Sequence, residues 1–258
     1  MTGLGEQDAG DLWETHSDWW QEEFTDGADP EYTEQILPLA VQLLDGYERV
    51  LDLGCGEGQI ARLVAVTCTP DFILGVDPTP SQISTAIERG TGLEFGQSEY
   101  VVGGASALGV PDDTFDAVVA CLVFEHIDPL EPAIAEVSRV LEPGGRFVLF
   151  LNHPLLQTPG SGWIDDHMAE PAEQYWRIGP YLVEASLVEE VQKDVFIPFV
   201  HRPLSRYVNA LSGAGLRLVE MHEPAPPEGF LDKSPFFAAA AHIPRLLVMV
   251  CEREADDG

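Results

Sequence analysis

Three glycines at alternate positions, Gly54, Gly56 and Gly58, follow the apolar run over 50–53 and precede the helically spaced Ile60, Leu63 and Val64. Lacking Cβ atoms, they let a ligand approach bare backbone and take up dihedral angles that other residues avoid. The helix that starts beside them offers unpaired N–H groups. A dinucleotide fingerprint puts its third glycine where this chain has Gln59, so the spacing argues against a pyrophosphate site. Asp52 argues the same way, because a carboxylate two residues before the first glycine repels phosphate and accepts hydrogen bonds from an ammonium group. The chemistry on offer is the binding of a partly cationic nucleotide-type ligand. Cys55 sits in the same loop as a small residue that fits there.

Such a loop must be held by strands and helices in alternation, and the chain supplies them. Strands are expected over 50–53, 72–76, 99–102, 116–121 and 146–151, with helices over 58–66, 80–89 and 129–141. Leu130, Ile134, Val137, Val140 and Leu141 give the last of these helices one apolar face. The run Phe147-Val148-Leu149-Phe150-Leu151 is apolar on both faces, as a parallel sheet covered by helices on each side requires. Ligands of such sheets sit beyond the carboxyl ends of the strands, where Asp52, Asp77 and residues 121–124 fall. Ahead of the core, helices are expected over 11–24, rich in Trp13, Trp19, Trp20 and Phe24, and over 31–44, with Pro38 either kinking the second or marking its start. Behind it, Pro203 opens a helix with Leu204, Tyr207, Val208 and Leu211 on one face, Gly213 and Gly215 stop it, and strands are expected over 216–221 and 243–251.

The stretch Asp52-Leu53-Gly54-Cys55-Gly56-Glu57-Gly58 resembles motif I of the class I S-adenosylmethionine-dependent methyltransferases. Ile73-Leu74-Gly75-Val76-Asp77 is similar to the family's second strand with its terminal acid, residues 108–127 to its fourth strand and approach, and Leu141-Glu142-Pro143-Gly144-Gly145-Arg146 to the turn before the fifth. The resemblance implies a Rossmann-like α/β fold: a seven-stranded, mostly parallel sheet with helices on both faces and the last strand antiparallel beside the sixth. It also implies S-adenosyl-L-methionine as cofactor and a small-molecule acceptor, as in the small-molecule, type 11-like subset. By the same resemblance Asp52, Gly54, Cys55, Gly56 and Gly58 cradle the amino-acid end, and Asp77, followed by Pro78, takes the ribose hydroxyls. Cys121 and Leu122, at the end of the fourth strand, complete the cofactor set. Where many members carry an acid before an alanine to meet adenine, this chain reads Gly103-Gly104-Ala105. Ala105 backbone or the Ser106 hydroxyl is then expected to bind adenine, with Leu108 or Leu122 packing on the ring.

The alternation stops over 152–200, a stretch far longer than ordinary connections. An insertion after strand five is therefore expected, and its Trp163, Tyr175, Trp176 and Tyr181 have the flat apolar bodies and polar tips that line small-molecule pockets. His167 and Asp165-Asp166 lie among them. At its exit Arg202 and Arg206, one helical turn apart, are candidates for pairing with an anionic substrate group. The chain is expected to divide into an N-terminal helical cap (1–47), a cofactor core (48–151), a substrate and lid insertion (152–200) and the rest of the core (201–253), all in one domain. If the acceptor is a hydroxyl, a histidine suits the role of base. His153 comes first because it directly follows strand five; His126 and His201 also stand at ends that should face the cofactor, although a lone histidine is most often structural.

Composition excludes several alternatives. With 44 acidic against 13 basic residues the formal charge is −31, which opposes phosphate-rich partners, so neither nucleic acid nor an anionic membrane surface is expected. No apolar stretch approaches the roughly 18–20 residues of a membrane span, and the polar start lacks the pattern of a signal peptide, so a cytoplasmic location is expected. The four cysteines form no C-x-x-C pair, and neither a metal site nor a disulfide framework is indicated. Oligomeric state is not legible. Two other readings stay open: a noncatalytic S-adenosylmethionine-binding regulatory module, and, opposed by Gln59 and Asp52, a nicotinamide-dependent oxidoreductase.

Overall fold

The computed structural model describes residues 6–91, 97–171, 173–234, 237 and 240–255. The core is one sheet of seven strands: β1 (Arg49–Leu53), β2 (Phe72–Asp77), β3 (Gln97–Val102), β4 (Phe115–Cys121), β5 (Leu141–Asn152), β10 (Leu216–His222) and β11 (Leu246–Arg253). Their order across the sheet is β10-β11-β5-β4-β1-β2-β3. The strands β1 to β5 pair in parallel, whereas β11 runs antiparallel to both of its neighbours, β5 and β10. The seven-stranded, mostly parallel sheet read from the sequence is therefore present, with its last strand wedged between the fifth and the one before it.

Strand periodicity sorts the core into two faces. Leu51, Leu53, Leu74, Val118, Phe147, Leu149 and Met249 point to one, where α6 (Leu130–Val140) and α7 (Leu204–Gly213) bury Ile134, Val137, Tyr207 and Leu211. Val50, Ile73, Ala117, Val119, Val148, Phe150 and Val248 point to the other, against α3 (Leu37–Leu44) and α4 (Gln59–Thr67), with Leu43, Leu44, Ile60 and Val64. The helix α5 (Pro80–Gly90) carries the chain between β2 and β3, and the short α8 (Glu228–Leu231) precedes β11.

The N-terminal aromatic segment is two helices rather than one, α1 (Glu6–Thr15) and α2 (Ser17–Phe24), broken at His16. The next segment opens as a π-helical turn over Tyr32–Ile36 and becomes α-helical from Leu37, with Pro38 in the first turn. Proline has no N–H to donate back to Glu34, so the preceding turn widens and Pro38 marks the true start of the helix. The insertion is two antiparallel hairpins, β6 (Gly162–Asp166) with β7 (Glu173–Arg177), and β8 (Ala185–Gln192) with β9 (Val195–His201). The final strand begins at Leu246, not 243, and runs to Arg253.

Candidate functional site

At the carboxyl ends of β1 and β2 the glycine loop is tied down by its own backbone. Gly54 and Cys55 both donate N–H groups to the Val76 carbonyl, at 2.7 and 3.1 Å. Gly54, at φ +73°, has no alternative residue: a Cβ there would lie 2.3 Å from Cγ2 of Val123. Gly58 is also left-handed (φ +80°), and a Cβ there would meet the Tyr100 ring at 2.8 Å, so it serves the entry to α4 rather than the ligand surface. Gly56 is the member of the trio with open space around its missing Cβ.

Three carboxylates surround this loop. Asp77 accepts from Gly56 N–H and Thr79 N–H, each at 2.9 Å, and burial raises its pKa while those two donors oppose the rise. Asp52 accepts from Ala61 N–H at 3.1 Å in the first turn of α4. Burial, reinforced by the neighbouring charges of Asp77 and Glu57, pushes its carboxyl up to about 7. Glu57 is buried too, but it is paired with both Arg62 and Arg89. At the end of β4, Leu122 takes a left-handed backbone (φ 55°) while donating its N–H to Phe150 O at 3.0 Å. That conformation is costly for leucine and is characteristic of chain held in place at a site.

Together these elements enclose a cavity of about 210 Å³. Asp52, Gly54, Cys55, Gly56, Asp77, Pro78, Ala105, Cys121 and Leu122 all line it, with Gly103 and Gly104. Ser106 and Leu108 do not; Leu108 is buried in the core and its N–H donates to Glu136. Trp13 and Trp20 from α1 and α2 cover one side, and Leu187 and Phe199 from the second hairpin cover another. Among the described residues no Lys or Arg lines the cavity, whereas Asp52, Glu57, Asp77 and Asp128 do. Among the same residues no cluster of three or more His, Cys, Asp or Glu is placed to hold a metal ion, and no helix is long and apolar enough to cross a membrane.

Of the three candidate histidines only His126 reaches this cavity. Its Nδ1 lies 2.6 Å from the Pro198 carbonyl oxygen. A carbonyl only accepts, so Nδ1 carries the proton and the Nε2 lone pair is left available. Burial lowers its pKa to about 4, which keeps the ring neutral. Its ring packs edge-on against Trp13 at 5.0 Å between centroids.

His153 and His201, also expected to face the cofactor, lie outside the cavity lining. His153 places Nε2 2.8 Å from Glu223 and accepts at Nδ1 from Leu155 N–H, while its backbone N–H donates to Arg245 O. Both ring nitrogens are engaged because β11 lies beside β5 and draws the chain after Asn152 toward that side. His201 donates from Nε2 to Tyr181 O at 2.8 Å, deep in the packing beneath the second hairpin.

The residues expected to bind substrate also lie outside the cavity. Trp163 and Trp176 stand opposite each other in the first hairpin and pack edge to face at 5.5 Å. Tyr175 is exposed on the same hairpin. The Tyr181 hydroxyl accepts from Leu204 N–H at 2.8 Å, fixing the start of α7. Arg202 is 2% exposed and spends its guanidinium on Phe124 O, Ile127 O and Asp128, so it braces the loop after β4. Arg206 pairs with Glu131 and Glu184. Sequence reasoning missed Leu187, Phe199 and Tyr32 as cavity wall. The available signal was the alternation over 185–191 and the unbroken apolar run before His201.

Comparison with known proteins agrees with this geometry. Residues 51–149 match the family model of a methyltransferase domain. A ubiquinone/menaquinone biosynthesis C-methyltransferase of Methylobacterium nodulans is 34% identical over 119 residues, covering 46% of this chain and 47% of that protein. A sterol 24-C-methyltransferase of Neurospora crassa is 38% identical over 104 residues, covering 40% of this chain and 27% of that protein. The chain thus spans less than half the length of these curated relatives. Over nearly its whole length it shares the fold of an S-adenosylmethionine-dependent methyltransferase from Mesorhizobium loti, at a TM-score of 0.73 and 24% identity, covering 88% of this chain and 99% of that one.

Proposed function

We propose that this chain, whose residues 51–149 match the family model of a methyltransferase domain, transfers a methyl group from S-adenosyl-L-methionine to a small-molecule acceptor. The observation that carries the reading is the charge of the cavity: among the described residues four acidic side chains line it and no Lys or Arg does. That lining suits a ligand bearing sulfonium and ammonium charges and opposes the pyrophosphate of a nicotinamide dinucleotide. The residues present fit the cofactor. Open space at Gly56 would admit its amino-acid end beside Asp52, Asp77 would take the ribose hydroxyls, and Ala105 and Leu122, which line the cavity, would border the adenine.

When bound, the cofactor supplies an activated methyl whose sulfur leaves as a neutral thioether. The protein's part is to orient and to exclude water. A hydroxyl or amine acceptor also loses a proton, and His126, which lines the cavity with its Nδ1 committed to Pro198 O, would take it through Nε2. That lone pair at the cavity favours an enzyme over a noncatalytic binding module. Trp13, Trp20 and the second hairpin form the cover, so the cap (1–47) and part of the insertion (152–200) close a site that the core (48–151) builds. The named relatives support a small-molecule acceptor, and the acidic balance supports a partner other than nucleic acid in a cytoplasmic setting.

Incubation with methyl-labelled S-adenosylmethionine and a metabolite extract, followed by mass detection of products heavier by one methyl, tests the reading. Calorimetry should show cofactor binding; binding of NAD or NADP in its place would overturn the assignment.

A further inference from the structure

A second cavity, of about 270 Å³, adjoins the first and shares Trp13, Trp20, Tyr32, Leu122, His126 and Phe199 with it. Most of its walls come from segments outside residues 51–149, so its specificity is this chain's own. Aromatic rings dominate it: Trp20 packs on Phe24 at 4.3 Å and meets Trp13, Trp19 and Tyr32 edge-on at 5.5, 6.2 and 6.5 Å.

Three of its polar side chains, Gln35, Glu189 and Asp29, present acceptor oxygens. Gln35 is 7% exposed; its amide nitrogen donates to Ala225 O at 2.8 Å, and its Oε1 has no hydrogen-bond partner among the described residues. Glu189 lies two residues after Leu187 on the half-buried side of β8, where the alternation calls for an apolar residue, and it lines this chamber. Its carboxylate has no hydrogen bond or ion pair among the described residues, and burial raises its pKa. Asp29 accepts from the N–H groups of Glu31 and Tyr32 and pairs with Lys233. The cation of this chamber, Arg245, is already committed, at 2.8 and 3.1 Å to Glu31 and 4.1 Å over the Phe230 ring. What remains unspent is acceptor capacity within an aromatic wall, the combination that recognises an ammonium group.

We infer that this chamber holds the methyl acceptor and selects one with an aromatic or apolar body and a protonated amine, the amine resting on Glu189 and Gln35 among the tryptophans. The inference rests on the methyl-transfer reading for the word acceptor, but not for the binding. The molecule's charge of −31 adds a long-range attraction for such cations.

Calorimetry on the full chain with 2-phenylethylamine, 2-phenylethanol and 3-phenylpropanoate, at equal ionic strength, tests it. The amine should bind at least about tenfold tighter than the alcohol, and the carboxylate should not bind. Glu189→Gln, a near-isosteric change on a surface hairpin, should erase the preference for the amine while leaving alcohol affinity within about twofold. Equal affinities for amine and alcohol, a preference surviving in Glu189→Gln, or no binding of any probe at millimolar concentration would overturn the inference. Titration of the same samples with S-adenosylmethionine separates the two readings: amine selectivity without cofactor binding removes methyl transfer and leaves an amine-binding chamber.

Discussion

The two hairpins of the insertion have opposite fates, and the one richer in aromatic residues is the one that stays outside the site. In β6–β7 the tryptophans face each other, and Glu173, Gln174, Tyr175 and Arg177 are exposed. In β8–β9 the run from Ile197 to His201 is buried, Leu187 and Phe199 wall the cofactor cavity, and Glu189 faces the chamber beside it. A carboxylate on an inward position with nothing to pair with costs desolvation free energy, and that cost marks a site better than ring content does.

Replacing residues 186–200 by a short Gly-Ser linker should therefore abolish methyl transfer, with circular dichroism verifying the fold; retained turnover would equate the two hairpins and remove the distinction. His126→Ala should lower turnover by roughly a hundredfold or more where the acceptor must lose a proton. Because burial holds His126 at about 4, the rate of the wild type should stay level down to pH 5 rather than fall near 6.5 as for an exposed histidine. Asp77→Ala should weaken S-adenosylmethionine binding by more than about tenfold in calorimetry, through loss of charge-assisted hydrogen bonds and of the hold on Gly56.

A smaller effect concerns stability. Glu125 accepts from Asn152 N–H and Nδ2, and burial raises its carboxyl to about 7. Between the ordinary carboxyl value, about 4.3, and 7 the native state holds a proton that the unfolded chain releases, so its contribution is present at low pH and lost as pH rises. Glu125→Gln should flatten that slope and raise Tm at pH 8 by about a few degrees in thermal melts. His126 has the opposite sign, its lowered pKa costing stability as pH falls from about 6.5 toward 4. Least of all, Trp163→Ala or Trp176→Ala should change turnover by less than about twofold in steady-state assays, and a larger loss would bring the first hairpin into the site.

Legibility in the sequence followed the locality of the signal. The glycine loop, Asp52 and Asp77 were readable because a strand, a turn and a helix start fix them within a few residues of one another. The central strands were readable because a sheet buried between two helical layers demands short runs that are apolar on both faces. The surroundings of His153 were not legible because they are set beside β11, whose start lies far along the chain, and those of Arg202 because its three acceptors come from the loop after β4. Period-two alternation in β8 was available, yet an isolated Glu189 in it gains meaning only when the rings across the chamber are known.

The placement of β11 also has a consequence for synthesis. Strand β5 keeps one edge bare until Leu246–Arg253 exists, about ninety residues after its own end. At roughly 5–20 residues per second, a ribosome leaves that edge open for about 5–20 s. An apolar, unpaired edge of that lifetime is a template for the wrong strand, so the nascent chain reaches its most sticky state just before its last strand closes the sheet.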